Sequence, residues 1–242
     1  MEHCFGTAFR SADNTRLRGW AYRPPGHAAG TLFVLHGFTN HCMTAFPVDW
    51  GFRLADEFSL TLSTFDFRHH GFSGNGIPTF GYWEGRDIQA ALDEADRYHS
   101  PKPYILCGES LGALAAQYAV AHDERVAGAI LVHPPAWPWD AVGKNMQKWT
   151  GISKLIDLAY GEEVLKKGCV FADTILPPHN PLLLYIMGTE DQYDWKQTAR
   201  VYDRWYPDDA DGWNTLPELD SPQRKWFHLV DGATHPDRTS NG

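Results

Sequence analysis

Gly108-Glu109-Ser110-Leu111-Gly112 spells G-x-S-x-G between an apolar run, Pro103 to Cys107, and an Ala- and Leu-rich stretch, Leu111 to Ala121. The run reads as a short buried strand and the stretch as a strong helix. A serine on the sharp turn joining two such elements is held with its hydroxyl exposed at the top of a sheet. Glycines two residues before and after it remove side chains that would clash in so tight a turn. The helix N-terminus adds backbone N–H groups and the positive end of a dipole near the reacting oxygen. Serine in this setting is a nucleophile. A glycine-rich turn with an incidental serine is the plain alternative, and the strand–helix context weighs against it.

A serine hydroxyl attacks only when a base takes its proton. In this architecture the partners follow in the order Ser, acid, His. The apolar run Pro181 to Met187 ends in Gly188-Thr189-Glu190-Asp191, and Lys225 to Val230 ends in Asp231-Gly232-Ala233-Thr234-His235. Both segments lie at the carboxyl ends of predicted strands, where sites in open α/β sheets form. His235 is therefore the expected general base. Asp191 is the expected acid, ahead of Glu190, Asp194 and Asp231, and its task is to fix the imidazole tautomer and stabilise the imidazolium. His36-Gly37-Phe38 follows the run Thr31 to Leu35, so the backbone N–H groups of Phe38 and Leu111 are the expected oxyanion donors. His36 itself reads as a structural residue that fixes this loop.

The elements needed to position these residues alternate strand and helix, which builds a mostly parallel sheet covered on both faces. Thr7 to Arg10 and Leu17 to Tyr22 flank Asp13-Asn14 and predict a hairpin. Strands are expected at Thr31–Leu35, Leu60–Phe65, Pro103–Cys107, Val126–Val132, Pro181–Met187 and Lys225–Val230. Helices are expected over Phe46–Phe58, Trp83–His99 and Leu111–Ala121. The rhythm breaks between Pro134 and Pro178, a stretch holding Trp137, Trp139 and Trp149 and too short for its own core. Residues 134–178 are thus expected to be a lid inserted after the sixth strand of one core formed by 1–133 and 179–242. Pro207 to Arg224, acidic and Pro-rich, reads as a surface excursion.

Composition narrows the function. The 242 residues carry a formal charge of −9 with no long basic run, which argues against a nucleic-acid partner. Proline and glycine together number 38 and are scattered, unlike a disordered chain. Cys4, Cys42, Cys107 and Cys169 form no CxxC pair, and no signal peptide or membrane-length apolar run is visible, so a cytoplasmic enzyme is the expectation. His36 with His41, and His69-His70, lack any metal-site pattern, and neither a metal nor a cofactor is expected. Gly71 to Gly76 lacks the Lys-Ser/Thr ending of a phosphate loop.

The chain resembles the α/β-hydrolase superfamily, and most closely its monoacylglycerol-lipase-like and serine-aminopeptidase-like branch. The residues carrying the likeness are His36-Gly37-Phe38, Asp66 to Ser73, the Ser110 turn, Asp191 and His235. Asp66-Phe67-Arg68-His69-His70-Gly71-Phe72-Ser73 resembles that branch's D-x-R-G-x-G-x-S loop, with His69 where glycine is usual. The likeness implies that Asp66 and Arg68 brace this loop. The expected activity is hydrolysis of a small carboxylic ester through an acyl-serine, with an apolar or aromatic acyl group suggested by the lid tryptophans. Those tryptophans equally fit a contact in a homodimer. Thioester hydrolysis, acyl transfer and amide cleavage use the same triad, and His133, after the sixth strand, is a candidate for lining the pocket. A ligand-binding protein on the same scaffold would be expected to lack a triad member.

Overall fold

A computed structural model of the chain describes residues 3–76, 79–136, 181–192, 195–199 and 225–235. The Asp13-Asn14 turn, with Asn14 at φ 70°, joins β1 (Cys4–Arg10) to β2 (Arg16–Tyr22) as the antiparallel hairpin the sequence predicts. The remaining strands are β3 (Gly30–Leu35), β4 (Leu60–Asp66), β5 (Tyr104–Glu109), β6 (Val126–Val132), β7 (Leu182–Gly188) and β8 (Lys225–Val230). Among the described residues they form one eight-stranded sheet in the order β1-β2-β4-β3-β5-β6-β7-β8. β2 pairs antiparallel with β4, and every pairing from β4 through β8 is parallel.

Alternation of side chains decides what covers each face. In β3 all six residues are buried, and Phe33 and Leu35 join a core packed by α2 (Tyr82–Arg97) and α3 (Leu111–His122). Leu32 and Val34 point the other way, to a cluster with Leu62 and Ala55 of α1 (Gly51–Glu57). A helix that is apolar all round must be buried all round, and every residue of α3 from Leu111 to Ala121 is. α2 begins where Glu84 accepts the amides of Thr79 and Gly81 while the Thr79 hydroxyl accepts that of Trp83.

Several boundaries differ from expectation, and β1 begins at Cys4 rather than Thr7 because Cys4 to Gly6 also pair with β2. The helix expected over Phe46–Phe58 opens as a wide turn, Phe46–Trp50, with Pro47 at its start where an N–H has no helical acceptor, before α1 takes over. α2 stops at Arg97 rather than His99, because His99 adopts a left-handed φ of 52°. β5 runs two residues past Cys107, so the strand delivers Glu109 straight into the turn at Ser110. The expected lid falls outside the described residues beyond position 136, and the 207–224 excursion lies wholly outside them.

Candidate active site

Four neighbouring parallel strands, β5 to β8, end on the same side of the sheet; Ser110 and His133 follow β5 and β6 at once, and Asp191 and His235 lie in the short loops after β7 and β8. After β5, Ser110 sits at φ 52° and ψ −107°, a conformation L-residues seldom adopt. Its amide donates to Val132 O at 2.9 Å, which pins the turn to β6. The turn also needs its glycines. A Cβ on Gly112 would lie 2.3 Å from Leu35 O, and one on Gly108 would lie 2.4 Å from Gly112 itself. The helix after Ser110 and the strand end before His36 therefore touch backbone to backbone.

β7 and β8 are zipped together beyond their ends. Thr189 N–H donates to Val230 O at 3.1 Å, and Glu190 N–H to Ala233 O at 3.0 Å. The Thr189 hydroxyl accepts Gly232 N–H at 2.8 Å and donates to Asp231 Oδ1 at 3.1 Å. These bonds fix Asp191 and His235 relative to one another. His235 Nε2 lies 3.1 Å from Ser110 Oγ, and His235 Nδ1 lies 3.1 Å from Asp191 Oδ2. The Asp191 side chain is fully buried. Of its rivals in the sequence, Asp231 is exposed and engaged with Thr189, Glu190 is exposed, and Asp194 lies outside the described residues.

A second imidazole reaches the same carboxylate. His133, directly after β6, is 7% exposed, holds a left-handed φ of 50°, and brings its Nδ1 to Asp191 Oδ2. Its amide donates to Ile186 O at 2.8 Å, and its ring stands edge-on to that of His235 with centroids 5.5 Å apart. An ionised carboxylate can only accept, so both Nδ1 atoms carry the shared hydrogens. Among the described residues these three side chains are the grouping close enough to hold a metal ion, within 4.8 Å of one another. The atoms an ion would need are those already bonded to each other. Glu109 lies nearby at 4% exposure, and burial raises its carboxyl above the usual range against the opposing pull of His235 and His133.

The loop after β3 is braced by two more histidines. His36 Nδ1 donates to Gly37 O at 2.8 Å while Nε2 accepts Phe67 N–H at 3.0 Å. Both roles require the neutral ring, and burial pushes its pKa down to about 3. His70 Nδ1 donates to Arg68 O at 2.8 Å, and its Nε2 accepts Thr39 N–H at 3.3 Å. Gly37 is close enough to the turn that a Cβ on it would sit 3.5 Å from Ser110 Cβ. The loop that carries Phe38 thus comes up to the serine turn, and Leu111, the first residue of α3, follows Ser110 directly.

Asp66 and Arg68 are braces, as the family likeness implies. Asp66 accepts Cys42 N–H at 2.8 Å and Phe72 N–H at 2.7 Å. Arg68, fully buried, pairs with Asp87 at 2.6 Å and Asp13 at 2.9 Å and lies over the Trp83 ring. His69, which replaces the usual glycine, takes the glycine's left-handed backbone, φ 66°.

A sequence profile of the serine aminopeptidase S33 family, a branch of the α/β-hydrolases, matches residues 26–167, more than half of the chain. The chain belongs to this family. An esterase of Pyrococcus furiosus, Pf2001, superposes with a TM-score of 0.72 at 20% identity, over 96% of this chain and 84% of that one. The α/β-hydrolase GrgF of a Penicillium species gives 0.66 at 17% identity, over 97% and 91%. Est1E of Butyrivibrio proteoclasticus, solved with ferulic acid bound, gives 0.67 at 14%, over 95% and 91%. Comparison with curated proteins finds no match. At these identities the solved structures speak for the shared α/β-hydrolase fold.

Two residues of the site were not assigned their roles from sequence. The sequence offers His133 as a candidate for lining the pocket, but its bond to Asp191 depends on how far two loops curl. His70 had no signal beyond its place beside His69. Cys4, Cys42 and Cys107 carry free thiols, with burial pushing Cys107 up to about 12. Among the described residues no helix is long and apolar enough to cross a membrane.

Proposed function

We propose that this S33-family hydrolase is a serine esterase acting on small carboxylic esters through an acyl-enzyme. The observation that carries the reading is the relay Ser110 Oγ, His235 Nε2, His235 Nδ1, Asp191 Oδ2, with 3.1 Å at each hydrogen bond, on a left-handed turn at a helix N-terminus. In the first half-reaction His235 takes the Ser110 proton as Oγ bonds to the acyl carbon. The ester C–O bond then breaks, and the alcohol leaves with the proton that His235 returns. In the second half-reaction a water attacks the acyl-serine with His235 again as base, releasing the acid and free Ser110. The amides of Phe38 and Leu111 take the developing oxyanion. Asp191 keeps Nε2 free to accept and stabilises the imidazolium.

The esterases among the structural neighbours agree with an ester substrate, and the tryptophans of residues 134–178 agree with an apolar or aromatic acyl group. The test is hydrolysis of p-nitrophenyl esters of increasing acyl length by wild type and Ser110→Ala. The expected result is a loss of about 10⁴-fold or more in kcat for the variant, by analogy with removal of other triad nucleophiles. Equal rates in the two proteins would refute the assignment of Ser110. Activity confined to aminoacyl p-nitroanilides would move the substrate class to amides, in line with the family's peptidase name.

A further inference from the structure

Ser-His-Asp chemistry needs one histidine on the acid, and this chain supplies two. We propose that His133 is a positioning residue for the reaction, holding Asp191 as a second hydrogen-bond donor on the same oxygen that orients His235. The inference rests on the triad reading above and deepens it.

The geometry is specific. His133 and His235 both present Nδ1 to Asp191 Oδ2, from the ends of β6 and β8, with β7 carrying the acid between them. His133 is fixed on its own side by its amide bond to Ile186 O, and the next residue accepts the Thr198 hydroxyl at 2.9 Å. The left-handed backbone at His133 is a cost the fold carries to aim this ring. The titratable groups facing it are Asp191 after β7, His235 after β8 and Glu109 at the end of β5.

Each donor on the Asp191 oxygen limits its movement and takes up part of its charge. The second donor locks the oxygen and divides its charge. Asp191 stays aligned when the imidazolium forms, and its oxygen is shared between two donors. Loss of the His133 donor moves the acidic limb of kcat/KM upward, because a carboxylate with one donor fewer favours the protonated base more strongly.

The experiment records kcat/KM for p-nitrophenyl acetate against pH for wild type, Ser110→Ala, His133→Gly and His133→Asn. Glycine deletes the donor and accepts the left-handed backbone. Asparagine keeps an N–H near the position of Nδ1 and tolerates the same φ. His133→Gly is expected to move the acidic limb up by about one pH unit, the effect of one donor on a charged acceptor. Its kcat is expected to fall about tenfold, one net hydrogen bond's worth of orientation. His133→Asn is expected to keep the wild-type limb. If the glycine variant does not accumulate, His133→Ala makes the same deletion. A deletion variant whose limb coincides with wild type, or an asparagine variant shifted as far as the deletion, overturns the proposal and leaves the triad standing. Full activity in Ser110→Ala would instead overturn the triad reading itself.

Discussion

Replacing Ser110 by glycine should make the protein more stable than replacing it by alanine, although both variants lose the nucleophile. At φ 52° and ψ −107° the residue occupies backbone space that a Cβ disfavours. Such positions cost about 1–3 kcal/mol, and glycine removes that cost. Glycine also gives the unfolded chain more freedom, a loss of roughly 0.5–1 kcal/mol. Both substitutions remove Oγ and its bond to His235, so their difference isolates the backbone. The expected net advantage of Ser110→Gly over Ser110→Ala is about 1 kcal/mol, or about 2–4 °C in Tm for a chain of this size. Urea unfolding and thermal melts of the two inactive variants side by side measure it. A glycine variant that melts at or below the alanine variant would refute the argument that the turn is held under strain.

Two further predictions concern the braces. His36 is neutral in the folded protein down to about pH 3, whereas the unfolded chain protonates it near 6.5. The unfolded state binds the extra proton across that window, so His36 removes stability as pH falls from 6.5 toward 3, by up to about 1.4 kcal/mol per pH unit. In His36→Gln this contribution to acid sensitivity should vanish, and urea unfolding at several pH values shows it as a shallower slope than wild type. Arg68→Ala leaves Asp87 buried without its cation. Burial already raises Asp87 to about 6 despite Arg68, and removing the arginine should cost about 3–5 kcal/mol, seen as a lower urea midpoint.

The sheet was readable because its strands are short apolar runs ended by Gly, Pro or Asp, and a buried parallel strand has no other way to look. Ser110, Asp191 and His235 stand out in the sequence as candidates because their chain order at predicted strand ends matches that of a Ser, acid, His relay. Where expectation and structure differ, the cause is local backbone that composition does not encode. His99 ends α2 in a left-handed conformation usually left to glycine, and β5 lengthens because Glu109 is held in the sheet beside Val132. The bond of His133 to Asp191 is beyond sequence reasoning for a related reason. Its partner lies 58 residues away, and the bond exists only because β6 and β7 are neighbours in register.

Ser110 and His235 are 125 positions apart, and three strand pairings stand between the ends of β5 and β8. Among the described residues β8 is the last strand of the sheet, next to β7. Edge strands open at lower free energy than central ones. Fraying of this strand would carry off the base while the serine, the loop after β3 and most of the core stayed in place. Activity is then a more sensitive gauge of native structure than helix content, and it should fade first as conditions turn denaturing.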